Sequence, residues 1–169
     1  PVGADKEAVA REIHTLSKRA KGPFITVHCG SLHPQQIEAE LFGAEVAGLS
    51  SHTPRKIGLL EKAYGGTLYF DEITQLPLPI QAKVVKVLHE NAFYRVGSEQ
   101  KIDIDVRFLA GSSDDIPLLI QNGHFREDLF YRLNVSNLKI PSLCERITDI
   151  PLLVESLMEK AAAARGVLP

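Results

Sequence analysis

Apolar residues along the chain follow two rhythms. The densest continuous run is Thr67-Leu68-Tyr69-Phe70, preceded by Gly65-Gly66 and followed by Asp71-Glu72. A short run with no polar alternation predicts a strand buried on both faces. Further strands are predicted over 24–28, where Ile25, Thr26 and Val27 are β-branched, and over 106–110. Between these runs the apolar positions recur every three or four residues. Val9, Ile13 and Leu16 predict a helix over 6–20, and Ile80, Val84, Val87 and Leu88 predict one ending near Asn91. Further helices are expected over 34–41 with Pro34 in its first turn, near 57–63, and over 116–122, 125–133 and 149–164. Residues 93–96 and 101–104, flanking Gly97-Ser98, predict a β-hairpin, and 43–55 a surface loop. Strands alternating with helices favour a mostly parallel sheet covered on both faces. The chain opens on a loop and a helix, so a preceding strand is expected to lie outside the sequence given.

Composition changes this picture little. With 169 residues, 44% hydrophobic and 24% charged, the chain reads as a soluble globular domain able to bury a core. A net charge of −2 gives no electrostatic case for direct nucleic-acid binding by this segment. Cys29 and Cys144 lack metal spacing, which makes a reduced compartment the default. No apolar run is long enough to span a bilayer and no signal-peptide pattern opens the chain, so a cytoplasmic location without a membrane partner is expected. His14, His33, His89 and His124 are scattered and read as surface or partly buried neutral side chains. Met158 and the seven phenylalanines read as packing residues.

The candidate chemistry lies at strand ends, where open α/β sheets bind ligands. Asp71 can hold Mg²⁺, and Glu72 can orient and deprotonate a water attacking a γ-phosphate. The same pair reads equally as two solvated acids. Gly3-Ala4-Asp5-Lys6 resembles the end of a phosphate-binding loop, with Lys6 able to reach β- and γ-phosphates. Its second glycine is replaced by Asp5, which adds like charge and loses easy access to positive φ. A plain surface lysine is the competing reading. Arg126 and Arg132 are offered either to a neighbour's nucleotide or to local partners such as Glu127 and Asp128.

Read together, these stretches resemble the central ATPase domain of bacterial enhancer-binding transcription activators. This AAA+ group acts on RNA polymerase carrying sigma-54. The likeness runs through Lys6-Glu7, Gly22-Pro23-Phe24, Glu40-Leu41-Phe42-Gly43, Gly65 to Ile73, Gln81-Ala82-Lys83, Phe93-Tyr94-Arg95-Val96-Gly97, Phe125 to Asn134 and Leu143 to Pro151. It implies a P-loop NTPase three-layer α/β sandwich over 1–147 and the first helix of a helical lid over 148–169. It also implies ATP and Mg²⁺ as ligands, a homo-oligomer between dimer and hexamer, RNA polymerase and a sigma factor as partners, and DNA contacted through a separate domain. Gly3, Lys6, Glu7, Asp71 and Ser113 would be the nucleotide contacts, and Asp71 the metal acid. Glu72 would be the catalytic base, with Arg126 and Arg132 as trans-acting fingers. Ser113 would stand for the γ-phosphate sensor, and His28 for an asparagine that restrains Glu72.

Several positions depart from the family pattern. Asp5 replaces a glycine, Ser113 and His28 replace asparagines, and Cys144 replaces an arginine. Ala47-Gly48-Leu49-Ser50-Ser51-His52 stands where members carry the loop that grips sigma-54. These departures lead to the expectation of an atypical member with a degenerate phosphate loop, impaired ATP hydrolysis and non-conventional sigma factor use. Such a member could respond to cyclic di-GMP and control biofilm or flagellar genes, with Arg11, Arg19 and Arg95 as candidate ligand contacts. The alternatives are an active Mg-ATPase ring acting on sigma-54 polymerase, and an oligomerisation scaffold that binds no nucleotide.

Overall fold

The computed structural model describes residues 5–31, 33, 36–45 and 55–165. Gly3, Pro34 and the expected sigma-gripping segment 47–52 lie outside the described residues. The elements run α1 (Lys6–Thr15), β1 (Phe24–His28), α2 (Ile37–Phe42), α3 (Leu59–Lys62), β2 (Thr67–Asp71) and α4 (Leu78–Glu90). They continue with β3 (Ala92–Tyr94), β4 (Lys101–Asp103), β5 (Arg107–Ala110), α5 (Ile116–Gln121), α6 (Glu127–Leu133) and α7 (Ile150–Arg165). The chain divides into two compact units, one from Asp5 to Asn137 and a second beginning at Leu138.

In the first unit β1, β2 and β5 form a parallel sheet in the order β1-β2-β5. The register pairs Phe24 with Thr67 and His28 with Asp71 on one side of β2, and Thr67 with Arg107 and Phe70 with Ala110 on the other. The central strand is the one with the unbroken apolar run, because only a strand paired on both edges and covered on both faces needs one. Thr67, Leu68, Tyr69 and Phe70 are all buried, whereas Asp71 is half-buried. Val27, Leu41, Leu60, Phe70, Ile80 and Leu129 belong to one continuous core. β3 and β4 form the expected antiparallel hairpin, with Phe93 opposite Ile102.

Several boundaries move inward from those predicted, each for a local reason. α1 stops at Thr15 instead of reaching 20, because the N–H and hydroxyl of Ser17 both donate to the His14 carbonyl, at 2.9 and 2.7 Å. α6 starts at Glu127, since Phe125 turns into the core and the Arg126 N–H donates to Gln81 Oε1 at 2.9 Å. Fully buried Gln81 also donates through Nε2 to the Leu76 carbonyl, which fixes the approach to α6 from α4. His14, read as a surface or partly buried residue, is buried on the sheet side of α1 and sits 2.9 Å from Thr67 Oγ1. In the second unit, Ser142 and Glu145 form a capping box on a 3-10 turn (Leu143–Glu145), and a second turn leads into α7. Met158, expected to pack, is 66% exposed on α7.

The start of β2 is held by two chain segments in near contact. Thr67 N–H donates to the Pro23 carbonyl at 2.9 Å, and a Cβ on Gly66 would lie 2.0 Å from that oxygen. Gly65 has φ +74° but open space around it. Gly66→Ala is therefore expected to destabilise by more than about 2 kcal/mol, because backbone must shift. Gly65→Ala is expected to cost about 1 kcal/mol for the left-handed conformation alone. Urea unfolding of both variants measures the difference, and equal losses would contradict the close-approach account.

Candidate functional site

Three elements deliver side chains to the C-terminal end of β2. Lys6 is the first residue of α1, Glu72 follows β2, and Ser113 follows β5. Lys6 Nζ lies 2.6 Å from Glu72 Oε1 and 2.6 Å from Ser113 Oγ. Ser113 donates twice to the same carboxylate, from its hydroxyl to Oε1 at 2.7 Å and from its N–H to Oε2 at 2.8 Å. Residues 41 and 107 positions apart from Ser113 thus meet at one point. Desolvation pushes the Glu72 carboxyl up, but the hydrogen bonds from Lys6 and Ser113 together outweigh it and hold it below the usual glutamate range.

The surrounding chain explains why these side chains stay in place. α1 is tied to the sheet by His14 on Thr67, by Glu7 Oε1 accepting from Thr26 Oγ1 at 3.0 Å, and by the Arg11 guanidinium 4.5 Å above the Phe24 ring. Asp5 caps the helix, its carboxylate accepting from the Ala8 N–H at 3.0 Å. Its φ of −73° needs no glycine, so the expected loss of backbone freedom at this position does not arise. Glu72 itself has φ +52° and ψ +59°, a left-handed conformation that costs about 1–2 kcal/mol and that the surroundings must enforce. Ile73 N–H donates to the Gly111 carbonyl, Gly111 N–H to the Phe70 carbonyl, and Thr74 Oγ1 to Asp114 Oδ2. A Cβ at Gly111 would meet the Tyr69 hydroxyl at 2.4 Å, so any larger residue there would have to displace the buried Tyr69 ring.

Asp71 has looser partners, His28 Nδ1 and the Tyr69 hydroxyl, each 3.3 Å away. His28 therefore sits beside Asp71 and is not among the hydrogen-bond partners of Glu72. Nearby, Cys29 is buried and its thiol is pushed up to about 12, by desolvation first and by Asp71 second, which leaves it a neutral packing group. Glu7 is engaged by Arg11 and Thr26 and makes no hydrogen bond to the Lys6–Glu72–Ser113 group. Arg126 is exposed and ion-paired with Asp128 at 2.7 Å. Arg132 is exposed and makes no side-chain hydrogen bond or ion pair among the described residues. Neither arginine joins the Lys6 cluster within one chain.

A second charged group, whose pairing sequence reasoning missed, joins Arg95 after β3 to Glu61 on α3 and to Glu45. Arg95 is 4% exposed and grips Glu61 with two hydrogen bonds of 2.8 and 2.7 Å, with Glu45 Oε2 3.6 Å from its other terminal nitrogen. Backbone bonds lie alongside: Ala44 exchanges N–H···O bonds with Lys56, and Glu45 N–H donates to the Val96 carbonyl. Only the phrase Tyr94-Arg95-Val96-Gly97 hinted at this, and nothing in the spacing links it to Glu61. Arg11 and Arg19 are also engaged locally, by Glu7 and Asp105. The three arginines considered for a cyclic dinucleotide thus all have protein partners, and Arg95 is inaccessible.

Comparison with known proteins bears on the same residues. The Sigma-54 interaction domain family matches residues 1–139. The chain is 44% identical over 167 residues to the C4-dicarboxylate transport transcriptional regulatory protein DctD of Pseudomonas aeruginosa, covering 99% of the chain and 36% of that protein. It is 49% identical to the Sigma54-dependent transcriptional activator SfnR of Pseudomonas putida, covering 99% of the chain and 46% of the relative. Among solved structures, NtrX from Brucella abortus in complex with ATP is 43% identical with a TM-score of 0.86, over 96% of this chain and 36% of that one. NtrX in complex with ADP gives 0.88 over 100% of the chain. The chain therefore spans between about a third and half the length of these relatives. The fold is an α/β AAA+-like sandwich with a mostly parallel sheet and a helical region.

These matches overturn the expectation of an atypical, degenerate member responsive to cyclic di-GMP. Proteins of the conventional kind, one of them solved with ATP and with ADP, resemble the chain along nearly its whole length. The geometry gives the physical reason. Asp5 fits the helix start as a cap, and Ser113 reaches Glu72 with two donors despite its short side chain. Of the departures behind the expectation of impaired hydrolysis, Asp5 and Ser113 therefore no longer support it. No helix among the described residues is long and apolar enough to cross a membrane.

Removing Arg95 leaves half-buried Glu61 with only its longer contact to exposed Arg55, at 3.2 Å, and Glu45 without its cation, so Arg95→Met is expected to cost about 2–3 kcal/mol. Hydrogen bonds from Arg95 hold the Glu61 carboxyl below its usual range. That contribution is present above the ordinary glutamate pKa and is lost as pH falls through the lowered folded value. Urea unfolding between pH 7 and pH 3 should show a shallower acid limb for Arg95→Met than for wild type. An unchanged acid limb would remove the pair from the stability of the domain.

Proposed function

The chain belongs to the Sigma-54 interaction domain family, and from that premise we propose that it is the ATP-hydrolysing core of a sigma-54-dependent transcriptional regulator. The observation that supports this most is the meeting of Lys6 with Glu72 at 2.6 Å, across 66 positions of sequence, at the carboxyl end of the central strand. A cation that can take a phosphate and a carboxylate that can take a proton from water share one point there. Isolated surface residues would not.

Each residue has a separable role toward Mg-ATP. Lys6, 13% exposed and at the start of α1, binds the β- and γ-phosphates. Glu72 orients the attacking water and accepts its proton, and its carboxylate is already aimed and ionised by the hydrogen bonds from Lys6 and Ser113. Asp71 offers hard carboxylate oxygens with only long partners, and no group of three or more His, Cys, Asp or Glu side chains among the described residues could hold a metal by itself. That donor set fits Mg²⁺, which takes one or two carboxylates and completes its shell from phosphates and water. When bound, the ion would neutralise charge on the transferring phosphoryl group. Arg126 and Arg132, exposed at the start of α6 and on it, are offered to the site of a neighbouring copy, where they stabilise developing charge. Such an assembly would act on RNA polymerase carrying sigma-54, with DNA contacted through another domain.

The test is phosphate release by the full-length protein with Mg-ATP. Turnover that rises with protein concentration is expected, with at least a roughly 100-fold loss in Glu72→Gln. A mixture of Glu72→Gln and Arg132→Ala proteins should regain part of the rate, since each supplies what the other lacks. Absence of wild-type turnover at any concentration would sink the proposal.

A further inference from the structure

Inside buried β2, two residues before Asp71, the Tyr69 side chain carries a hydroxyl toward the acids at the strand end. Tyr69 is 2% exposed, and that hydroxyl donates to Asp71 Oδ1 at 3.3 Å. Residues two apart on a strand share a face, so the phenol and the carboxylate lie on one side of the sheet. The ring itself is layered. It stacks on Phe24 with centroids 6.3 Å apart and planes 20° apart, and the Arg11 guanidinium lies 4.5 Å from the Phe24 centroid. Packing of that kind leaves the hydroxyl little room to turn toward water.

The chain after β5 makes room for this oxygen. Gly111 is not among the glycines with positive φ, so its backbone conformation makes no demand for glycine. Space does. A Cβ there would sit 2.4 Å from the Tyr69 hydroxyl and 3.2 Å from the ring carbon that bears it. With phenylalanine at 69 the first obstacle is gone, and a slight shift of the ring relieves the second. Tyrosine and glycine thus fit each other across β2 and β5 as one unit, and what the unit delivers is a donor to Asp71.

The two acids at the strand end are served differently. Glu72 is held by a cation, Lys6, at 2.6 Å. Asp71 takes a neutral phenol on Oδ1 and His28, whose side chain is half-exposed, on Oδ2, each at 3.3 Å. A phenol limits the rotation of a carboxylate without bringing a positive charge to it. An acid that is to hold Mg²⁺ needs both a set direction and its own charge. Groups that orient a metal ligand from behind govern metal affinity by roughly 10- to 100-fold.

We propose that Tyr69 is a positioning residue for the metal-holding carboxylate: its hydroxyl, in the space that Gly111 leaves free, sets the direction of Asp71 toward a divalent cation bound with nucleotide. The role rests on the nucleotide reading above. It bears on how firmly Mg²⁺ is held and leaves the nucleotide's own contacts alone.

Binding tests it without turnover. The affinity of the full-length protein for a non-hydrolysable ATP analogue is measured calorimetrically with Mg²⁺ and with EDTA, and the ratio of the two reports the metal's hold. Tyr69→Phe should lower that ratio about fivefold, below the usual range because the hydrogen bond is long, while the affinity in EDTA stays within about twofold. In an Asp71→Asn background the same change should move the ratio by less than about twofold. Tyr69→Phe combined with Gly111→Ala, which refills the space of the lost oxygen, should keep the lowered ratio, since packing is restored and the donor is not. A ratio unchanged in Tyr69→Phe, or restored by Gly111→Ala, or lowered equally with Asp71→Asn present, overturns the positioning role and leaves ATP turnover to be judged by phosphate release. Wild-type protein that binds the analogue equally with Mg²⁺ and with EDTA overturns it too. Wild-type protein that binds no analogue under either condition overturns both readings.

Discussion

A strand buried on every side cannot end in charges without handing them to partners, and that constraint shapes the molecule around β2. Four consecutive residues of the strand are buried, and the next two are acids. Parallel pairing with β1 and β5 puts the ends of three strands at one level, so the loops that follow them approach the same point. Ser113 arrives from the loop after β5, and His28 from the last position of β1. Lys6 comes from a helix whose buried histidine is fastened to the first residue of β2. The charge pair at the strand end is therefore a product of topology. Antiparallel neighbours would have brought strand beginnings to that level instead.

The second buried charge group obeys the same logic at a different place. Arg95 leaves the hairpin strand β3 and finds Glu61 on α3 and Glu45 on the chain entering segment 46–54. Its cation is compensated by two carboxylates, so desolvation is offset and the three backbone segments cannot drift apart cheaply. Gly97 lies against the Glu45 carbonyl, where a Cβ would approach to 2.3 Å, and has φ +80°. The backbone at Ala44, Glu45 and Lys56 is thus held to the hairpin by ion pairing and close backbone contact.

Much of the architecture was legible in the sequence. β2 announced itself as an unbroken apolar run between a glycine pair and two acids, β1 by its β-branched residues, and the hairpin by two runs around Gly97-Ser98. Helix ends were less legible, since α1 is closed by Ser17 on a carbonyl and α6 is delayed by buried Phe125. At the candidate site, the acids closing a strand pointed to Asp71 and Glu72, a loop running into a helix to Lys6, and the family resemblance to Ser113, while their contacts could not be read from spacing. Pairs such as His14 with Thr67 and Arg95 with Glu61 were invisible for the same reason: they join positions 53 and 34 apart through the sheet and the core. Family departures were over-read, because a residue judged by its type alone was weighed without its geometry.

Ser113 shows how geometry changes such a judgement. Relative to an asparagine its side chain is shorter and lacks an amide, and by type alone that looks like lost function. In place, its backbone N–H already supplies the donor that a longer side chain would bring, because the loop after β5 turns the peptide toward Glu72. The hydroxyl is then left to do something an amide nitrogen does not, which is to accept from Lys6 and donate to Glu72 through one atom. Substituting a side chain at a site therefore need not remove a role when the backbone carries part of it. What changes is how the remaining partners are coupled, and in this chain the Ser113 hydroxyl bridges Lys6 and Glu72 beside their direct contact.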